Sequence, residues 1–130
     1  MRLEFKNFAF ISQASKLAAE AALCAGDQGQ FWPYHDMLFA NQGPLFEEGA
    51  DSRRGFKQIA AMLGLDTKAF NRCLSRREHR QAVQQLLDEG RAQGVNSTPT
   101  VIVNGVNLGY PRSFEDVQRV IEEELAKASQ

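Results

Sequence analysis

A chain of 130 residues, 43% hydrophobic and 24% charged, is long enough to bury one core and has the composition of an ordinary globular protein. A net charge of −1 with a pI near 6.1 provides no global field to recruit nucleic acid or an anionic membrane surface. Apolar runs fall far short of the ~20 residues that cross a bilayer, and Met1-Arg2 leads into an alternating pattern, so neither membrane insertion nor a signal peptide is expected. Any export signal would lie upstream.

Residues 3–8 (Leu3-Glu4-Phe5-Lys6-Asn7-Phe8) alternate apolar and polar, which predicts a half-buried strand. The alanine-rich run 13–24 predicts a helix ending near Gly26. A second helix is expected over 31–41, with Phe31, Tyr34 and Leu38 on a core-facing stripe and Pro33 in its first turn. Residues 43–51 read as loop with a short turn. Helices follow at about 53–63, 67–75 and 77–93, with Asp66 as an N-cap and Gly64 and Gly94 as the residues that stop the first and third. Strands 100–103 and 106–110 flank an Asn104-Gly105 hairpin turn, and a last helix runs from Ser113 to about Lys127. The order is strand, four or five helices, hairpin, helix: an α/β chain with a helical insertion over about 13–93.

Few side chains suggest chemistry. Cys24 and Cys73 form no Cys-x-x-Cys, and neither has a second sulfur or an imidazole at zinc-ligand spacing. They are structural, as a disulfide or as buried thiols, or one is a reactive thiol. His35 is expected to satisfy a helix carbonyl or a carboxylate, and His79 to be solvated. Arg76, Arg77 and Arg80 read as a solvated face, and Phe31, Trp32, Phe39 and Phe46 as core of the insertion. No paired carboxylates and no phosphate loop are visible, so no catalytic residue, metal or cofactor is assigned. The informative run is Gly94 to Gly105. There Thr98-Pro99 sits between a loop and a strand, where a proline is tolerated and a cis peptide is a candidate.

Taken in order, several segments resemble the DsbA-like thioredoxin-fold disulfide oxidoreductases, in the bacterial branch with an inserted helical domain. They are Phe8-Ala9-Phe10-Ile11, the run Leu17 to Gly29, Phe31 to Gln42, Gly64-Leu65-Asp66 with Phe70-Asn71-Arg72-Cys73-Leu74, and Gly94 to Gly105. The resemblance implies a single domain, 1–130, with an incomplete thioredoxin fold that lacks the N-terminal strand and the Cys-x-x-Cys helix. In that fold the missing strand lies between the strands expected at 3–8 and 100–103, so two inner edges face an empty slot. Another chain, a rearranged terminus or a segment beyond this sequence would fill it.

The implied activity is thiol–disulfide exchange on polypeptide cysteines, with this chain inactive alone. Thr98 and Pro99 are the implied substrate-binding residues, pairing an extended peptide by strand addition. Cys24 and Cys73 are implied to form a second, non-catalytic disulfide, worth roughly 4 kcal/mol for a loop of this size. Such a bridge requires an oxidising, periplasmic or extracytoplasmic compartment. Two alternatives stand beside this reading. One is a peptide-binding module or strand-exchanged homodimer that fills the missing central strand. The other is a relative of the glutathione-transferase or isomerase type.

Overall fold

In the computed structural model, which describes residues 1–130, the first regular element is a helix and not a strand. Residues 3–8 alternate as expected but form no strand, because no neighbouring strand offers their backbone a ladder. Leu3 is 77% exposed and Phe5 43%, so the alternation has no core to face. The sheet is a two-stranded hairpin. The chain divides into two compact units, Met1–Asp88 and Glu89–Gln130.

The first unit contains α1 (Gln13–Gly26), α2 (Phe31–Ala40), α3 (Gln42–Phe46), α4 (Ser52–Met62), α5 (Thr67–Ser75) and the start of α6 (Arg80–Ala92). Its core forms around the small side chains of α1. Ala18, Ala21, Ala22 and Ala25 allow the larger Tyr34, Phe56, Phe70 and Leu74 to close against that helix. Tyr34 is fully buried and donates its hydroxyl hydrogen bond to the Phe56 carbonyl at 2.9 Å, satisfying the one polar group that this ring brings inside.

Local signals set the helix boundaries. Ser12, Asp51 and Asp66 accept from the N–H groups of Ser15, Arg54 and Ala69, each capping its helix. Gly64, at φ +71°, turns α4 out: its N–H reaches Ala61 and that of Leu65 reaches Ala60, which satisfies the last carbonyls. The Gln28 side chain then pairs with both backbone groups of Asp66, tying the end of α1 to the start of α5.

Three expectations need correction here. Residues 42–46, placed at the edge of a loop, form α3, whose first turn accommodates Pro44. Helix α6 starts at Arg80 and not at 77, because Arg77 takes the left-handed conformation (φ +53°) that closes the turn after α5. Trp32, Phe39 and Phe46 are 44%, 61% and 38% exposed, so they are not core. Trp32 and Phe39 flank His35 on the outer side of α2, and Phe5 stacks edge-on to that same imidazole, making a surface aromatic group.

The second unit begins in the last turns of α6, which Gly94 (φ +82°) ends by the same motif as Gly64. Strand β1 (Val101–Val103) pairs antiparallel with β2 (Val106–Gly109), Ile102 opposite Asn107 and Val103 opposite Val106, with a bulge between Val101 and Ile102. Asn104 (φ +47°) and Gly105 (φ +82°) supply the two positive-φ positions that a tight hairpin turn requires. Helix α7 (Phe114–Ala128) starts at Ser113, whose hydroxyl accepts from the Asp116 N–H. It packs on β1 and buries Val120.

Candidate functional site

Two places concentrate polar geometry, one in each unit. In the second unit, residues 97–99 form an exposed bend between α6 and β1, and the Thr98-Pro99 peptide bond is cis. Thr100 donates its side-chain hydroxyl to the Ser97 carbonyl at 2.8 Å, which pins the bend one residue before the strand. The backbone N–H and C=O of Thr98 enter no hydrogen bond within the chain. β1 is paired to β2 along one edge, and no strand lies along its other edge. An unpaired peptide group ahead of an open edge can receive an extended chain through main-chain hydrogen bonds.

In the first unit, Cys24 on α1 and Cys73 on α5 are joined by a disulfide, with Sγ atoms 2.09 Å and Cα atoms 5.9 Å apart. Both are buried. The fold sets a polar group beside them. His79, in the turn before α6, places Nε2 2.7 Å from Oδ2 of Asp27, the residue that ends α1. That same carboxylate oxygen lies 3.7 Å from Cys73 Sγ. Both sulfurs and a His79 ring nitrogen lie within 4.8 Å of one another, and Glu78 adds a carboxylate near Cys73 and Asp27. His79 is therefore not the solvated histidine expected from its charged surroundings; its side chain is 24% exposed and engaged by Asp27. Spacing along the chain could not reveal this, since Asp27 and His79 are 52 residues apart and meet only through packing of α1 and α5.

A third polar contact was also hidden. Glu20 is 1% exposed, and Arg77 reaches it with two parallel hydrogen bonds, Nε to Oε1 at 3.1 Å and Nη2 to Oε2 at 2.6 Å. The hydrogen bond to Glu20 raises the Arg77 pKa further above its ordinary value. The arginine is thus no member of a free basic face. One sequence signal pointed this way: Glu20 is the lone charge in the run Leu17 to Cys24, where a buried carboxylate needs a partner. His35 places Nδ1 3.0 Å from Asp36 Oδ1, and no nucleophile approaches it.

Comparison with known proteins adds four similarities. A family model described as Thioredoxin matches residues 1–123. A probable disulfide bond formation protein D of Bacillus anthracis is 31% identical over 130 residues, covering 98% of this chain and 59% of that protein. A Na(+)/H(+) antiporter, NhaA 3 of Salinispora tropica, is 34% identical over 114 residues, covering 88% of this chain and 17% of the antiporter. The chain thus spans less than two thirds of these curated relatives. Among solved structures, a thioredoxin-like oxidoreductase from Silicibacter pomeroyi superposes with a TM-score of 0.75 at 23% identity, over 93% of this chain and 66% of that one.

Proposed function

The chain belongs to the thioredoxin family, in its DsbA-like branch with an incomplete thioredoxin fold, and from that membership we propose that it supplies the substrate-docking part of a thiol–disulfide oxidoreductase acting on polypeptide cysteines. The observation that carries this reading is the exposed Thr98, unpaired in its backbone and set directly before the open edge of β1. An extended peptide would add there as a strand, its main chain giving affinity and its cysteine held next to the bend.

Exchange itself needs a thiolate that attacks a disulfide sulfur and a second thiol that resolves the mixed disulfide. Both cysteines of this chain are committed to the Cys24–Cys73 bridge, and no Cys-x-x-Cys is present. The chain alone therefore docks without catalysing, and Cys24 and Cys73 act as a clamp between α1 and α5. A persistent clamp of this kind belongs in an oxidising, extracytoplasmic setting.

Incubating the purified chain with a fluorescent disulfide peptide and a reductant, beside Cys24→Ser and Cys73→Ser variants, tests the catalytic half. No turnover above buffer is expected in any of them. Turnover lost in one variant would make that cysteine redox-active and end the structural assignment. A second reading is favoured by the same open edge: β1 pairs with a second copy of the chain and closes the sheet across a homodimer. Sedimentation at low micromolar concentration separates the two, a stable monomer excluding the dimer.

A further inference from the structure

We propose that reduction of the Cys24–Cys73 disulfide converts the group around it into a Zn²⁺ site formed by Cys24, Cys73, His79 and Asp27. The inference rests on this group's geometry and stands whether or not the docking reading holds. Both sulfurs and a His79 ring nitrogen already lie within 4.8 Å of one another. Asp27 Oδ2 lies 2.7 Å from His79 Nε2 and 3.7 Å from Cys73 Sγ. Ligand atoms in tetrahedral zinc sites sit roughly 3–4 Å apart, given bonds of about 2.3 Å to sulfur and 2.0–2.1 Å to nitrogen. Opening the disulfide would free both sulfurs to rotate, and the His79–Asp27 contact would widen from 2.7 Å to bring the four atoms to such spacing.

The donor set selects the metal. Two thiolates and an imidazole suit zinc and exclude the hard, oxygen-seeking Mg²⁺ and Ca²⁺. Solvent access is also present, because His79 and Asp27 are 24% and 53% exposed while the sulfurs lie behind them.

Oxidation state gates the site. A disulfide carries no thiolate, so the oxidised chain lacks two of the four ligands. An external dithiol donates two electrons and two protons: the Cys24–Cys73 bond breaks, the dithiol closes to its own disulfide, and two thiols appear in this chain. Zn²⁺ then binds with release of both thiol protons. The α1–α5 clamp passes from a sulfur–sulfur bond to a shared metal, and bound zinc opposes reoxidation by mass action.

The test is anaerobic reduction of the full chain with a phosphine, removal of the reductant, and titration with Co²⁺ followed by Zn²⁺. One equivalent of Co²⁺ should give a thiolate-to-metal charge-transfer band, which one equivalent of Zn²⁺ removes; the oxidised chain should give none. His79→Ala and Asp27→Asn, both partly exposed, should keep the helical circular dichroism and weaken Zn²⁺ at least about tenfold. A reduced, folded chain without the band overturns the proposal. So does undiminished Zn²⁺ affinity in His79→Ala, which would leave the cysteines binding without the proposed site. Should reduction unfold the chain, return of helical signal on adding one equivalent of Zn²⁺ supports the site, and failure to return overturns it.

Discussion

Arg77 occupies a backbone region that favours glycine, at φ +53°, yet an arginine stands there. The turn after α5 wants the left-handed residue, because the Arg77 N–H reaches Leu74 and the Glu78 N–H reaches Cys73. The buried Glu20 wants a guanidinium in the same place. Strain at one such residue costs of order 1–3 kcal/mol, whereas removing one partner of a buried ion pair costs about 3–5 kcal/mol. The pair therefore outweighs the strain. Arg77→Gly should relieve the backbone and still destabilise the chain, by about 2 kcal/mol or more in urea unfolding. Glu20→Gln, which keeps a hydrogen-bond acceptor, should cost less. A glycine variant as stable as the parent would reverse the ranking of the two effects.

Tyr34 makes a second prediction at the same scale. Its burial pushes the phenol pKa far above the ordinary 10.0. A group whose pKa is raised by folding contributes stability that is complete below its unfolded pKa and is lost as pH rises beyond it. Stability should fall as pH passes 10, and ultraviolet titration should show Tyr34 ionising only as helical signal disappears. Ionisation of both tyrosines with the helices intact would contradict that. Tyr34→Phe removes the hydrogen bond to Phe56 and should cost about 1 kcal/mol while abolishing part of this alkaline loss.

At the scale of elements, what the sequence revealed depended on how local the cause was. Asp66 before Thr67, Gly64 after α4 and Asn104-Gly105 between two β-prone runs each act within four or five residues, and each feature was readable in advance. The strand at 3–8 failed for the opposite reason: alternation specifies a face, but a strand exists only where another backbone pairs with it. The core-facing stripe of α2 formed as its spacing indicates, with Tyr34 buried and Phe31 and Leu38 packed against the core. Trp32 and Phe39, read as core from their aromatic character, lie instead at the surface around His35. Family resemblance, carried by the order of segments, reached the overall class. It did not reach His79 beside the disulfide or Arg77 on Glu20, contacts that exist only once α1 and α5 are packed.

The contact of α3 with α4 shows the same dependence and yields a prediction. Gly55 lies inside α4, where glycine costs about 1 kcal/mol relative to alanine. A Cβ at this position would collide with Cδ2 of Leu45, itself buried on α3. Overpacking a closed contact costs about 1–3 kcal/mol, enough to offset the helix-propensity gain. Gly55→Ala should thus be neutral to destabilising by up to about 2 kcal/mol, and combining it with Leu45→Ala should make the two costs less than additive. A clear stabilisation by Gly55→Ala alone would mean that Leu45 moves aside freely.

For the whole molecule, the two units differ in what holds them. The first carries the Cys24–Cys73 bridge, which spans a sequence separation of 49, together with the alanine-lined core. The second has a hairpin, one capped helix and no cysteine. Closing a loop of that size removes conformational freedom from the unfolded chain worth about 4 kcal/mol, a large share of the 5–15 kcal/mol that a domain commonly has. Metal-free reduction should therefore act on one unit. Amide hydrogen exchange in α1 and α5 should accelerate on the order of a thousandfold, the equivalent of about 4 kcal/mol, with α2 and α4 following because they share that core. Protection in β1, β2 and α7 should hold. Equal loss across both units would show that they open as one cooperative body, and the clamp would then stabilise the entire chain and not its helical part alone.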